Sequence, residues 1–283
     1  MSNVAIRRPA VAGAFYAASP EQLKKQIIDS FNHRLGAGRL PEHQSKRDIL
    51  GVICPHAGYM YSGPAASHSY LALGEQTPPK TVVIIGPNHT GWGTPISIMS
   101  EGKWVTPLGE VSIDSELAEK IIDYSHTAKS DESAFIREHS IEVQLPFLQF
   151  IYPEFKFVPI CMGYQDIDVS EELGKAIFEA SKDKEIVVIA STDLNHQESK
   201  QTSNKKDKYV IDAIKTLDEK QLQESVKKHH ITTCGYGPVS TTMVYSKLYG
   251  ATKGEVLSYY TSGDITGDNY AVVGYASAKI TRN

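Results

Sequence analysis

The chain has 283 residues, of which 41% are hydrophobic and 22% charged, and its formal net charge is −4 at pH 7. This composition is typical of a globular protein, and the length suits one large core or two smaller ones. Because the chain is mildly acidic and its Lys and Arg residues are scattered, we expect no nucleic-acid partner.

Cysteine usage and hydropathy set further bounds on the class of protein. The cysteines, Cys54, Cys161 and Cys234, include no CxxC pair, and their odd number argues against a disulfide framework. The first residues lack the apolar stretch of a signal peptide, and no apolar run approaches the length of a membrane span. We therefore expect a cytoplasmic protein with no membrane partner.

The N-terminal third of the chain predicts a helix, a loop and two strands. Ser19 followed by Pro20 is a typical helix start, and apolar residues then recur at helical spacing. Residues 36–48 are polar and predict a loop. The runs 50–54 and 81–85 are rich in Val and Ile, and Gly or Pro bounds them, which is typical of buried strands.

The remaining elements continue the alternation of helices and strands. Asp114 and Ser170 are positioned to cap helices. The other predicted elements are strands over 157–160 and 186–190, two helices over 203–230 broken near Asp218, a helix over 238–248, a strand over 256–260, a Gly/Asp-rich loop over 261–268 with no ion assigned, and a strand over 270–276. No linker or repeat divides the chain, so the pattern predicts a single α/β domain spanning residues 1–283.

Histidines follow three of the predicted strands. His56, His89 and His196 each come within a few residues of the end of a Val/Ile-rich run. In largely parallel sheets, ligands bind outside the carboxyl ends of the strands. A loop histidine that only bonds the backbone explains each residue taken alone, but the repeated arrangement favours one shared site. Asp193, close before His196, could orient that imidazole or could cap a helix.

Cys234 stands just before the predicted helix over 238–248. A cysteine near a helix N-terminus has more thiolate character, and a thiolate can ligate a metal or act as a nucleophile. The alternative is a small buried residue, which is how we interpret Cys54 and Cys161. Within 138–146, one of two glutamates or His139 could support a site from a helix, although a surface helix end explains the pattern equally well.

Several familiar catalytic motifs do not occur in the sequence. There is no GxGxxG after a strand, no HExxH and no GxSxG. The segment 86–91 has the glycine spacing of a P-loop but lacks its Lys-Ser/Thr ending. Nucleotide binding is therefore not indicated.

The order of the motifs resembles the Memo family, in its prokaryotic branch, and is similar to the B protein of the AmmeMemoRadiSam system. The resemblance extends over nearly the whole chain. It is carried by the segments RPAVAGAFY (8–16), PHAGY (55–59), SG (62–63), GPNH (86–89), TPLG (106–109), EHSIE (138–142), STD (191–193) with His196, and CG (234–235).

The Memo family is similar in fold to the class III extradiol ring-cleavage dioxygenases. This resemblance implies a three-layer α/β/α sandwich with a mostly parallel or mixed central sheet. It also implies metal ligands His56, His89 and Cys234, catalytic residues His196 and Asp193, and pocket residues Phe15, Tyr59 and His139. In two places the chain departs from these relatives: Cys234 stands where the dioxygenases have a carboxylate, and Thr90 stands where animal members carry a second histidine.

The implied function is that of a mononuclear redox protein resembling a non-haem dioxygenase or oxidase. Fe(II) is the implied metal, with copper and zinc as alternatives, because a thiolate changes metal preference. The substrate would be a small molecule, aromatic or phenolic by analogy. Two other hypotheses stay open: a metal-dependent hydrolase, and a non-catalytic scaffold that binds a peptide. The resemblance also implies AMMECR-like and radical-SAM proteins as partners.

Overall fold

The computed structural model describes residues 5–42 and 45–282, so residues 43 and 44 of the predicted loop lie outside the described residues. The strands are β1 (Ile6–Arg7), β2 (Ile49–Cys54), β3 (Thr81–Pro87), β4 (Ile96–Ile98), β5 (Lys103–Thr106), β6 (Gly109–Ser112), β7 (Ala128–Ser130), β8 (Lys156–Met162), β9 (Ile186–Ser191), β10 (His196–Glu198), β11 (Gly254–Thr261) and β12 (Val272–Thr281). The helices are α1 (Pro20–Asn32), α2 (Tyr59–Gly74), α3 (Ser115–Tyr124), α4 (Leu145–Ile151), α5 (Ile167–Ala180), α6 (Lys200–Thr216), α7 (Glu219–His229), α8 (Tyr236–Leu248) and α9 (Ser262–Thr266). Among the described residues, no helix has the length and apolar character needed to cross a lipid bilayer.

The central sheet is mixed and has parallel strands at its middle. Its order is β10-β12-β2-β9-β3-β8-β4-β7, and β11 pairs with β12. Strands β2, β9, β3 and β8 run parallel, whereas β12 and β4 are antiparallel to their neighbours β2 and β8. A small second sheet has the order β1-β5-β6. The expected mostly parallel or mixed sheet is confirmed.

Helices cover both faces of the central sheet. A Cβ atom on Gly51 of β2 would lie 2.5 Å from Thr242 of α8. Cys54 is an odd number of positions further along β2, so its side chain points to the opposite face, where it lies close to Ser69 and Tyr70 of α2. The two helices therefore lie on opposite sides of the sheet, and the predicted α/β sandwich is confirmed.

The strands that lead to the candidate site are completely enclosed. Every residue of β2, β3 and β9 is buried. Because both faces are covered, these strands are apolar throughout, and burial of each Val or Ile side chain contributes about 1.5–3 kcal/mol. The strand ends from which the site residues project are thus part of the core.

Helix starts agree with the sequence at most predicted caps. Ser19 and Asp114 each accept a backbone N–H of the following helix with their side chains, as predicted. Asp218, where only a break between two helices was expected, also caps the helix that follows it. The prediction for Ser170 is wrong, because α5 already begins before that residue. Asp168 lies in the first turn of α5, where its negative charge complements the helix dipole and favours the earlier start.

The segment predicted as a Gly/Asp-rich loop contains a short helix. In α9 the Thr261 and Asp264 side chains form a reciprocal capping box over the first turn. Gly267 ends the helix with a φ of 82°, a conformation that glycine adopts without strain. The residue types that suggested a loop therefore begin and end one helical turn.

Candidate metal centre

The sheet register brings the histidine-bearing segments to one edge. β9 lies between β2 and β3, and Ser191 at its end is opposite Cys54 at the end of β2. Because these strands are parallel, the chain leaves them at the same edge of the sheet. His56 follows β2, His89 follows β3, and both lie beside Cys234.

The His56 imidazole is buried, and its ring nitrogens have different partners. Its Nδ1 atom lies 2.9 Å from the Ser191 Oγ atom, which donates its own proton to the Ser140 carbonyl at 2.6 Å. Nδ1 must therefore carry the ring hydrogen, which leaves a lone pair on Nε2. Burial, together with the nearby histidines, holds the pKa of His56 well below its usual value. The ring is thus neutral, which is the form that ligates metals.

A buried carboxylate fixes the tautomer of His89. Glu138 Oε1 accepts the His89 Nδ1–H at 2.9 Å, and Oε2 accepts the His89 backbone N–H at 2.6 Å. Because a carboxylate only accepts, Nδ1 carries a hydrogen, and Nε2 is the ring nitrogen left for a metal. Burial acts to raise the pKa of Glu138, but the bonds from His89 and the Ser140 backbone lower it to about 2. Glu138 is therefore ionised and orients His89, as carboxylates orient metal-bound imidazoles in other proteins.

Cys234 completes the cluster from the segment before α8. Its sulfur accepts the Asp193 backbone N–H at 3.2 Å and lies 3.2 Å from His56 Nε2. The prediction that the helix N-terminus lowers the pKa of this thiol is wrong, because burial and the Asp193 charge raise it. A bound cation would have to displace the thiol proton, since the thiolate is the ligand.

The three candidate ligand atoms converge. One ligand atom each from His56, His89 and Cys234 lies within 4.8 Å of the others. Imidazole nitrogens and thiolate sulfur bind metals at about 2.0–2.3 Å, so ligand atoms around one ion lie about 3–4.5 Å apart. Two imidazoles whose Nδ1 atoms bond elsewhere, together with one cysteine, therefore fit a single transition-metal ion. His196 does not belong to this group of ligand atoms.

Asp193 and His196 lie at the same edge without the expected pairing. The Asp193 carboxylate accepts the backbone N–H of His56 at 2.8 Å, and its burial raises its pKa. His196 is held by Thr232, whose hydroxyl accepts the His196 backbone N–H at 2.7 Å and whose carbonyl accepts the Nδ1–H at 2.9 Å. Because β9 adjoins β2, the Asp193 carboxylate reaches the turn after β2 instead of His196. The expectation that Asp193 orients the His196 imidazole is therefore wrong, and Thr232 has that role.

Two of the three predicted pocket residues pack beside the histidines. Phe15 packs on His139 with ring centroids 4.7 Å apart, and His139 stacks on His89 at 4.5 Å. Burial lowers the pKa of His139 to about 4. Tyr59 instead lies in the hydrophobic core, 3% exposed, and its hydroxyl donates to the Val143 carbonyl at 2.6 Å. The expectation that Tyr59 lines the pocket is corrected, because the first turn of α2 directs its ring into the core.

Glu138, His89 and His139 form a second group of close potential ligands. Glu138 Oε1, however, already accepts the His89 Nδ1–H and the backbone N–H groups of His139 and Ser140, each at 2.9 Å. An oxygen with three donors has no lone pair left for a cation. We therefore assign Glu138 a supporting role.

Sequence reasoning missed several supporting residues. Ser191 bonds His56, Gln144 donates to Ser191 Oγ at 2.8 Å, and Thr232 holds His196. The signal available in the sequence was a polar residue in apolar surroundings, at the end of a strand for Ser191 and within an amphipathic segment for Gln144. Such a signal marks Ser191 and Gln144 as unusual but does not show which residues they bond.

A buried ion pair anchors the N-terminal segment that carries Phe15. Arg7 and Glu142 form a salt bridge, with side chains 6% and 0% exposed. Glu142 also accepts the backbone N–H of Ala10 at 2.8 Å, and Arg7 also donates to the Glu138 carbonyl at 2.7 Å. Glu138 and Glu142 thus have separate roles: Glu138 orients His89, and Glu142 anchors the N-terminal segment.

Comparison with known proteins places the chain in a well-populated group. A model of the Memo-like protein family matches residues 7–279. A MEMO1 family protein of Methanopyrus kandleri is 48% identical over 280 residues, covering 98% of this chain and 99% of that protein. A MEMO1 family protein of Sulfolobus acidocaldarius is 48% identical over 281 residues, covering 97% and 99%. An uncharacterized protein from Escherichia coli K12 has a similar fold, with a TM-score of 0.57 at 12% identity, covering 82% of this chain and 99% of that one.

Proposed function

The chain belongs to the Memo-like protein family, and from this membership and its site we propose that it is a mononuclear metal-binding redox protein. The observation that carries the proposal is the convergence of His56, His89 and Cys234 ligand atoms within 4.8 Å of one another. Ser191 and Glu138, which lie outside the cluster, hold the Nδ1 atoms of His56 and His89, so that the Nε2 atom of each ring is left for the metal. The Glu138–His89 pair resembles the carboxylate-oriented histidines of metalloproteins.

We propose iron or copper as the metal. Imidazole ligands suit iron, copper and zinc, and a thiolate favours soft or redox-active ions over Mg²⁺ and Ca²⁺. Such an ion, with only three protein ligands, would supply one-electron chemistry and open positions for small molecules.

His196 is the proposed general acid/base. Its Nδ1–H is bonded to the Thr232 carbonyl at 2.9 Å, so the Nε2 lone pair is available to take a proton from a substrate hydroxyl and later return it. His196 contributes to the pKa shifts of both His56 and Asp193, which supports its proximity to the cluster.

The substrate we propose is a small aromatic or phenolic molecule. The Phe15 ring and the face of His139 offer flat contact surfaces next to His89. His139, with its pKa lowered to about 4, is neutral at pH 7, so its ring offers one hydrogen-bond donor and one acceptor. These groups would orient a planar, hydroxylated molecule through ring stacking and hydrogen bonds.

The test is oxygen consumption by metal-loaded protein with a panel of catechol-type compounds. We expect uptake that requires the metal and falls about 10²–10⁴-fold in His196→Gln, whereas His126→Gln, a change at an exposed histidine outside the site, leaves it unaltered. Product release from ester or amide panels without oxygen uptake would favour a hydrolase and overturn the redox assignment. Stable capture of a partner by a His56/His89/Cys234 triple variant, with no turnover by the wild type, would favour a scaffold.

A further inference from the structure

A buried carboxylate outside the metal centre has no mechanistic role so far. Asp207 of α6 is 0% exposed, and within the described residues it forms no ion pair with Lys, Arg or His. Its Oδ1 atom accepts the Asn195 backbone N–H and its Oδ2 atom accepts the Tyr259 hydroxyl, each at 2.8 Å. A carboxylate with only neutral donors is costly to bury, and an uncharged residue would fill the space at lower cost.

The backbone of β12 packs directly against this carboxylate. A Cβ atom on Gly274 would lie 2.1 Å from Asp207 Oδ2, so the position has no room for any side chain. The Gly274 N–H donates to the Asn195 carbonyl at 3.0 Å, and the Gly274 carbonyl accepts the Leu194 N–H at 2.8 Å. Asp207 and β12 therefore hold the chain at 194–195 from two sides.

Asn195 passes this constraint to the segment around Thr232. The Asn195 side-chain oxygen accepts both the backbone N–H and the hydroxyl of Thr232, each at 3.1 Å. The Asn195 side-chain NH₂ donates to Glu198 at 2.6 Å and to Ser203 at 3.1 Å, which fixes its orientation. Thr232 in turn binds both the backbone N–H and the ring Nδ1–H of His196. The bonds thus form a continuous path from Asp207 to the His196 imidazole.

We propose that Asp207 is a positioning residue for His196, acting through Asn195 and Thr232. Asp207 holds residues 194–195, just after β9, while the Thr232 carbonyl accepts the His196 Nδ1–H. The Nε2 lone pair of His196 is then directed toward the pocket beside the metal centre. Asp207 does not touch the ring or any bound molecule. The proposal rests on the proposed function only in what His196 does, because the position and tautomer of the ring can be measured without turnover.

The experiment is nitrogen NMR of protein labelled with ¹⁵N-histidine, with the His196 signals assigned by their loss in His196→Gln. In the wild type we expect one neutral form of His196, with hydrogen on Nδ1. In Asp207→Leu, which has similar size but no acceptor, we expect a mixture of both tautomers and broader His196 signals, whereas the His56 and His89 signals keep their positions. Asp207→Asn, which can still accept from the Asn195 N–H, should retain the wild-type pattern.

Two further variants keep the test decisive. Asp212→Asn changes an acid of the same helix that is paired with Lys208 at the surface, and it should leave His196 unchanged. If Asp207→Leu does not fold, Thr232→Val removes the hydroxyl that bonds both Asn195 Oδ1 and the His196 backbone N–H, at an exposed position, and should likewise give a mixture of tautomers. Unaltered His196 signals in both Asp207→Leu and Thr232→Val, or in Thr232→Val alone where the other does not fold, would overturn the proposal. Metal content measured on the same samples reports separately on the proposed function.

Discussion

The Nε2 atom of His56 lies 3.2 Å from the Sγ atom of Cys234, although the two residues are 178 positions apart in the chain. The two atoms share a thiol proton, since the Nε2 lone pair is free and burial raises the pKa of Cys234. A metal ion that binds between them takes the place of that proton.

Metal affinity should therefore increase with pH. Because the thiol of Cys234 is protonated around neutral pH and the ligand is the thiolate, each ion bound releases one proton. We expect the association constant to rise about tenfold per pH unit between pH 6 and pH 8. Competition titrations with a chromophoric chelator measure this slope. An affinity independent of pH would mean that Cys234 is not a ligand.

Glu138→Gln should weaken metal binding while the fold is retained. The substitution keeps the size of the side chain but removes the charge that accepts the His89 Nδ1–H at 2.9 Å. Loss of such an orienting carboxylate typically costs 10–100-fold in metal affinity, so we expect a decrease of about that size. Glu132→Gln, at an exposed residue of the same segment, is the matched control. Equal affinity of the two variants would contradict the role assigned to Glu138.

Arg7→Met should destabilise the protein strongly. Arg7 is the cationic partner of Glu142 in a pair whose side chains are 6% and 0% exposed, and its removal leaves a buried carboxylate unpaired. We expect the free energy of unfolding in urea to fall by about 3–5 kcal/mol. The double variant Arg7→Met/Glu142→Gln should recover part of this loss, and Lys25→Met, at an exposed pair with Asp29, should change little. Additive losses in the double variant would disprove the pairing argument.

Asp207→Asn should become more stable relative to the wild type as pH rises. Burial raises the pKa of Asp207 from 3.8 to about 7, so between these values the folded protein binds more protons than the unfolded chain. Wild-type stability attributable to this group is therefore present below about pH 4 and is lost progressively toward pH 7. Asparagine does not titrate, so the stability difference should grow with pH by at most about 1.4 kcal/mol per unit. Urea unfolding at pH 4, 5, 6 and 7 measures it, with Asp212→Asn as control, and a constant difference would contradict the burial argument.

The parts of the fold that the sequence predicts are those set by local patterns. Runs of Val and Ile between Gly and Pro predicted β2, β3 and β9, because strands covered on both faces must be apolar throughout. Side-chain caps at Ser19 and Asp114 depend on neighbouring residues only. The position of His56 and His89 at one sheet edge followed from the parallel order of the strands.

The partners of the site residues were not predictable in this way. Glu138 is 49 positions from His89, and Ser191 is 135 positions from His56, so only the folded chain brings each pair together. Proximity in sequence suggests that Asp193 pairs with His196, whereas its carboxylate accepts the backbone N–H of His56, which follows the neighbouring strand. Tyr59 carries no sequence signal that distinguishes a ring turned into the core from one turned toward a pocket.

Metal content of protein purified without oxygen tests the central claim most directly. We expect about one equivalent of iron or copper per chain in the wild type and in the control His126→Ala. His56→Ala and Cys234→Ser should each lose most of that metal, because each removes one of the three converging ligand atoms. Trace metal in the wild type, or unchanged content in His56→Ala, would contradict a His56/His89/Cys234 metal centre.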